Sequence, residues 1–246
     1  IQAWPVTEAQ VNSLAVMLSM LGLCLYLTHG LQVVPGSKRQ LIAEWIVDKV
    51  TSLVQNSMGE RFMGFVPFIA AILGLSALSS LSSLLGLFPP TSDLNIVAGW
   101  AILVFILITY YKLQGGLWPY VKGFFTPVPL FAPMNVLGEV ATPVSMSFRH
   151  YGNVLSGVII SALVGTALKG LSNMLLGWLP GVLGQFPFLQ IGLPAILSLY
   201  FDIFSGCMQA FIFAMLTMLN IALGFPEEDY ERRQAKKRKK ASLQKA

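Results

Sequence analysis

A few ionisable side chains stand inside long apolar stretches, where a charge is costly. They are Glu139, Arg149, His150, Asp202 and, near the end of one stretch, His29. Arginine keeps its proton at physiological pH, so Arg149 can supply a fixed positive charge but cannot relay protons. A carboxyl group can titrate, because desolvation raises its pKa and a nearby positive charge lowers it. Asp202 can therefore bind and release a proton, and Arg149 can hold an anionic group beside its fixed charge.

Amide side chains accompany these charges at helical spacing. Asn153 follows Arg149 by four residues, and Gln209 follows Asp202 by seven, so each pair lies on one face of a helix. Two polar stripes can therefore face one region and form a site. Hydrogen bonding between helices is the alternative interpretation for both amides.

Structural alternatives also exist for the other ionisable residues. Glu139 stands near a predicted helix start, where an acid also suits the helix dipole. Asp202 could be a packing or capping acid, although an ionisable residue within a membrane segment favours function. His150 is better interpreted as a satisfied polar residue than as a relay. His29 is best explained as an interfacial residue.

The composition assigns the chain to membranes. Of its 246 residues, 55% are hydrophobic and only 11% are charged, and the mean hydropathy is +0.69. Soluble domains carry about twice that charge. A hydrocarbon layer requires about 20 consecutive apolar residues at helical rise, and this chain has several such runs. The default solvent of most side chains is therefore lipid.

The apolar runs predict an all-α, polytopic membrane protein with five transmembrane helices. We expect spans near residues 11–34, 64–88, 94–111, 133–170 and 194–224, with an amphipathic surface helix at 40–56. The last two spans exceed an upright crossing and should be strongly tilted, and Pro143 is a possible kink. Residues 112–129 and 177–192 are interpreted as a polar connection and an uncharged loop. Residues 1–225 then form one membrane domain, and 226–246 form a basic cytoplasmic tail.

The basic residues predict the orientation of the chain. Half of the 16 lysines and arginines lie in the last fifteen positions. With five spans and a cytoplasmic tail, only Lys169 lies near the opposite face, so the N-terminus is predicted outside. Next to a membrane span, the basic run at 236–240 is better explained by contact with lipid than with nucleic acid. The remaining basic residues on the cytoplasmic side are Lys38, Arg39, Lys49, Arg61, Lys112 and Lys122.

Signatures of bond-making catalysis are missing from the sequence. We find no Walker loop, metal-ligand quartet or Ser-His-Asp set, so we expect no nucleotide, metal or other cofactor on this chain. Cys24 and Cys207 show no disulfide or metal spacing and are interpreted as packed core thiols. The chain is therefore predicted not to be an enzyme on its own.

Four segments carry a resemblance to a known family. PVSMSFRHYGN at 143–153 resembles the signature of F-type ATP synthase a subunits of bacteria, in which an arginine precedes a Gly-Asn pair. QAFIFAMLT at 209–217 resembles the family's last helix. VPG at 34–36 and PTSDLN at 90–95 also match, in the same order. Together these segments cover most of the chain and are specific.

The resemblance implies a stator subunit that contacts a rotating c-subunit ring, with two offset aqueous half-channels in a bacterial plasma membrane. Arg149 would be the essential arginine that meets each ring carboxylate and prevents direct leakage. Asn153 and Gln209 match polar residues beside it, and Glu139 matches a channel-lining acid. The implied partners are the c ring, the b-subunit peripheral stalk, the rest of the ATP synthase and the lipid bilayer, with no nucleic acid.

This sequence departs from the family pattern at three positions. The family often has an ionisable residue nine positions after the arginine, where this chain has Val158. Asp202 stands where relatives carry histidine or glutamate and could supply the channel acid. His150 replaces a more usual apolar residue. The general mechanism stands, but these differences leave the ion path open.

Two other function classes remain as alternatives. A self-contained secondary transporter could use Arg149 and Asp202 to bind an anionic or protonated substrate, although the two halves show no obvious repeat. A membrane scaffold without transport would leave the buried charges unexplained. The class of ion carried, proton or sodium, does not follow from the sequence.

Overall fold

The protein is built from helices throughout its described parts. The computed structural model describes residues 7–33, 36–125, 130, 132–176, 196–197 and 199–243, with the backbone alone at 176 and 236–243. Within these ranges there is no strand, which agrees with the predicted all-α class. The helices are α1 (Glu8–Thr28), α2 (Lys38–Met58), α3 (Val66–Ser82), α4 (Leu94–Leu113), α5 (Leu117–Phe124), α6 (Ala132–Leu176), α7 (Gly206–Gly224) and α8 (Glu227–Leu243).

Local capping chemistry explains where several helices begin. The Thr7 side chain accepts a hydrogen bond from the backbone N–H of Gln10, and the Gln10 side chain accepts one from the backbone N–H of Thr7. Ser37 and Asp93 cap α2 and α4 through their side-chain oxygens. Such caps satisfy backbone donors that a helix start leaves unpaired. Gly59 ends α2 at φ +86°, a backbone conformation that favours glycine.

Five helical segments are long and apolar enough to cross a membrane, as predicted. They are Glu8–Thr28, Glu60–Leu85, Leu94–Leu113, Ala132–Leu175 and Leu199–Gly224. The second begins with a 3-10 helix at Glu60–Phe65, and the fifth begins with a π-helix at Leu199–Ser205. Helix α2 carries more polar residues, and its placement on the membrane surface stays a prediction.

Helix α6 is the longest element of the described chain. Its 45 residues extend about 68 Å, more than twice the hydrocarbon thickness of about 30 Å. Pro143 lies inside this helix, and the helix continues through it without a break. The predicted kink therefore does not interrupt α6. Strong tilt relative to the membrane remains a prediction that follows from this length.

The buried core surrounds α7, which packs against α2, α3, α4 and α6. Phe213, Ala214, Met218 and Ile221 on α7 are all at most 1% exposed. Their spacing of one, four and three residues places them on the inner faces of one helix. The other fully buried side chains of this core include Val54 on α2, Ile69 on α3 and Val104 on α4.

Four further sequence interpretations are revised, gain detail or fall outside the described residues. Residues 112–129 are not only a connection, because they contain the end of α4 and all of α5. The predicted basic tail is helical over Glu227–Leu243. Cys24 and Cys207 are exposed, so their interpretation as packed core thiols is wrong for this chain. The predicted loop at 177–192 lies outside the described residues.

Candidate functional site

Arg149 lies on the outer surface of α6. Its side chain is exposed, and within the described residues it forms no ion pair and no hydrogen bond. Phe148, its neighbour on the same surface, is 57% exposed. A permanent cation on a membrane-spanning helix is stable only beside a counter-charge or water. This surface therefore requires a polar or anionic partner.

His150, the next residue, is directed into the bundle and is 0% exposed. Its Nε2 atom is 3.4 Å from the Ser76 hydroxyl on α3, and its Nδ1 atom has no hydrogen-bond partner. The imidazole packs edge-on against Trp100 and Phe213, with ring centroids 6.2 and 5.8 Å away. His150 is thus a buried structural contact between α3, α4, α6 and α7, and only partly satisfied.

Asp202 and Asn153 meet in one recess at the start of the last span. Both line it, together with Ser80 on α3 and Gly206 on α7. The recess offers water about 20 Å³, roughly enough for one molecule. The Ser205 hydroxyl donates a 2.9 Å hydrogen bond to Oδ1 of Asn153. The predicted grouping of these two polar residues is therefore present, but Arg149 does not line the recess.

Asp202 is held on an unusual helix. Leu199–Ser205 forms a π-helix that passes directly into α7. Short π-helical segments within α-helices are rare and occur frequently at functional sites. Gln209, predicted on the same face as Asp202, is buried on α7 at 6% exposure. It does not line the Asp202 recess, and the π turn at Asp202 alters the 3.6-residue spacing on which the predicted stripe depends.

Glu139 lies at the other end of the bundle, in an open cleft of about 470 Å³. Its carboxylate accepts a 2.8 Å hydrogen bond from the ammonium of Lys112 at the end of α4. Tyr120 on α5 lines the same cleft. Burial, followed by the charge and hydrogen bond of Glu139, raises the pKa of the Tyr120 phenol above its ordinary 10.0. The phenol of Tyr120 is therefore neutral at physiological pH.

Lys112 and Tyr120 were not identified as site residues from the sequence. Lys112 is 27 positions from Glu139, and only the packing of α4 against α6 brings the two together. One signal was available, since Lys112 directly follows an apolar run and needs a counter-charge there. His29, by contrast, is exposed at the end of α1, and its interpretation as an interfacial residue stays a prediction.

The three polar groups follow one another along α6. Glu139 precedes Arg149 by ten residues, or about 15 Å of helix, and Asn153 follows it by four, or about 6 Å. Two polar recesses therefore open toward opposite ends of the bundle, and the exposed arginine lies between their levels. The recesses are separate cavities in the described part of the chain.

Comparison with known proteins gives a consistent family. The family model described as ATP synthase A chain matches residues 11–222. ATP synthase subunit a of Bacillus subtilis is 32% identical over 204 residues, which cover 78% of this chain and 81% of that protein. The Bacillus pumilus subunit a is 31% identical over 76% of this chain and 79% of its own length.

A sodium-specific relative matches over a shorter region. ATP synthase subunit a, sodium ion specific, of Propionigenium modestum is 35% identical over 142 residues. The match covers 57% of this chain and 42% of that protein.

Proposed function

Because this chain belongs to the ATP synthase A chain family, we propose that it is the membrane stator subunit of a rotary F-type ATP synthase. In this role it passes ions through two half-channels to and from the carboxylates of a c ring. It couples ion flow to ring rotation, while the chemistry of ATP takes place on other subunits. The alternative of a self-contained secondary transporter is not favoured, because the family match extends over residues 11–222.

The position of Arg149 carries this proposal. Its exposed, unpaired side chain lies between the levels of the two recesses. A ring carboxylate that arrives beside the guanidinium is favoured in its ionised form, because an opposite charge stabilises it. It therefore releases its ion before it reaches Arg149 and takes up another after it has passed. Arg149 itself stays protonated and blocks direct ion flow between the recesses.

The other polar residues are assigned by the recess that each one lines. Asp202 and Asn153 serve the half-channel at the start of the last span, where Ser205 fixes the Asn153 amide. Glu139 serves the half-channel at the opposite end, within the open cleft. Gln209 and His150 organise the helix contacts beside Arg149 from within the bundle.

The position of the Glu139 cleft relative to the basic tail gives the proposed orientation. The Glu139 cleft lies at the end of the bundle where α8 begins, since Pro226 and Asp229 also line it. With the tail in the cytoplasm, Glu139 faces the cytoplasm, Asp202 faces outward, and the N-terminus is outside. The c ring contacts the Arg149 surface of α6, and the b-subunit stalk joins elsewhere, in a bacterial plasma membrane.

ATP-driven acidification of inverted vesicles tests the role of Arg149. The complete ATP synthase carrying Arg149→Ala should assemble but pump no protons, because ring carboxylates would no longer lose their ion at the interface. Lys169→Ala is the matched control, since Lys169 is another exposed cation on α6. A sodium ionophore identifies any contribution from sodium gradients. Normal pumping by an assembled Arg149→Ala complex would contradict the proposed mechanism.

A further inference from the structure

The ion pair between Lys112 and Glu139 stands at a constriction. Both residues line the open cleft of about 470 Å³ and also a smaller inner cavity that offers water about 40 Å³. The side chains are 28% and 10% exposed, so the carboxylate is largely withdrawn from solvent. An ion that moves from the cleft toward the inner cavity must pass this pair.

Groups that carry oxygen atoms surround the ion pair between Lys112 and Glu139. Pro143 has no N–H, so the backbone carbonyl of Glu139 lacks the donor that normally lies four residues later in a helix. This carbonyl is therefore left without its usual hydrogen bond within the helix, on the same residue as the carboxylate. Hard cations bind such groups of carboxylate, carbonyl and hydroxyl oxygens. Three other residues with oxygen-bearing side chains line the cavities: Tyr120 lines the cleft, Asn220 lines the inner cavity, and Thr142, whose hydroxyl donates to the Gly138 carbonyl, lines both.

The ammonium of Lys112 occupies the position that a bound cation would take. It lies 2.8 Å from Oε1 of Glu139 and supplies one positive charge. Its stem is guided past the end of α7 by Gly224, where an added Cβ would lie 2.9 Å from Lys112 Cε and 3.3 Å from Cγ. The absence of a side chain at Gly224 thus lets the ammonium reach the carboxylate.

We propose that Lys112 is a specificity-determining residue, a tethered cation that fills a hard-cation site at this constriction and so admits protons while excluding sodium. The inference rests on the proposed role of the cleft as a half-channel. A sodium ion would need the carboxylate and several oxygens together, beside a fixed positive charge. A proton needs only a hydrogen-bonded path, and Glu139 retains free lone pairs for it.

Sodium inhibition of ATP-driven proton pumping tests this proposal. Inverted vesicles with the complete synthase expose the Glu139 cleft to the medium, and potassium keeps the ionic strength constant as sodium is varied. We expect sodium to leave the wild-type rate unchanged. With Lys112→Gln, sodium should inhibit, at a concentration at least about tenfold below any that affects wild type, since the unit positive charge that fills the site is lost.

Two variants retain the positive charge and so distinguish the loss of charge from a structural change. Lys112→Arg should retain resistance to sodium. Gly224→Ala should displace the ammonium and produce partial sensitivity, although every charged group remains. Gly99→Ala, also on an apolar helix, is the control, because its added Cβ meets nothing within 4 Å.

The outcomes distinguish this inference from the proposed function. Sodium-independent pumping by Lys112→Gln, at any reduced rate, would overturn the specificity role and leave the stator function intact. Uptake of radioactive sodium by wild-type vesicles would also overturn it. Failure of wild-type vesicles to pump any ion would instead contradict the proposed function itself. If Lys112→Gln does not assemble, Gly224→Ala decides, because sodium resistance in that variant would count against the proposal.

Discussion

The close approach of α3 and α7 at Gly206 gives the sharpest prediction about the assembled bundle. A Cβ atom added at Gly206 would lie 2.6 Å from Ser80 Cβ and 2.9 Å from its hydroxyl oxygen. Favourable contacts between carbon atoms are about 3.5 to 4.0 Å. The Gly206→Ala variant therefore requires the two helices to separate by about 1 Å. Both residues line the Asp202 recess, so this separation also widens it.

The cost of that substitution follows from the geometry. The opposing atom is a Cβ fixed to the backbone, so rotation of the serine side chain cannot relieve the contact. Overpacking of a tight interior costs about 1 to 3 kcal/mol, or about 5- to 140-fold in the folding equilibrium. For a chain of this size we expect the thermal midpoint to fall by about 2 to 4 °C per kcal/mol.

A double-mutant cycle on the purified synthase measures this contact. Ser80→Gly removes the Cβ that the new methyl group would meet. Gly206→Ala should therefore destabilise the Ser80→Gly variant much less than it destabilises the wild type. Gly170→Ala on α6 is the control, since its added Cβ meets nothing within 4 Å. Equal thermal midpoints for wild type and Gly206→Ala, with no coupling to Ser80, would refute the proposed helix contact.

Two other substitutions test single polar contacts. Ser76→Ala should destabilise the protein by about 1 to 3 kcal/mol, because it leaves both ring nitrogens of buried His150 unpaired. His150→Leu should cost less, because it removes the unpaired polar atoms. Thermal midpoints of both variants check this order. Tyr120 has a raised pKa, so its stabilising neutral form is complete below pH 10.0 and is lost as the pH rises through the raised value. Tyr120→Phe should therefore reduce the loss of stability above pH 10.0, measured by thermal midpoints across pH, and an unchanged alkaline profile would contradict this cause.

The transmembrane architecture was largely predictable from the sequence because lipid imposes a simple length rule. Apolar runs ended by prolines, glycines and charges gave all five spans, with boundaries that differ by several residues from the structure. Span ends were less certain, since helices continue past the apolar run. Helix α4, for example, extends through Lys112 to Leu113.

Contacts between residues far apart in the chain could not be predicted from the sequence pattern. The hydrogen bond between Asn153 and Ser205 joins positions 52 apart, and it depends on how α6 meets the π-helix. Helical spacing treated Asp202 and Gln209 as one stripe, but that rule assumes 3.6 residues per turn and fails across a π turn. The roles of these residues in ion movement stay predictions.

Helix α8 has a consequence for the order in which the protein is made. Its Glu227 and Glu231 carboxylates lie 3.7 Å from the Arg61 guanidinium, between α2 and α3, and its Arg233 donates to the Gln114 carbonyl after α4. These connections are synthesised early, whereas α8 leaves the ribosome after all five spans. Until then the two connections lack their shared partner. The ion pairs and the hydrogen bond at this end of the bundle can therefore form only after all five spans have been synthesised.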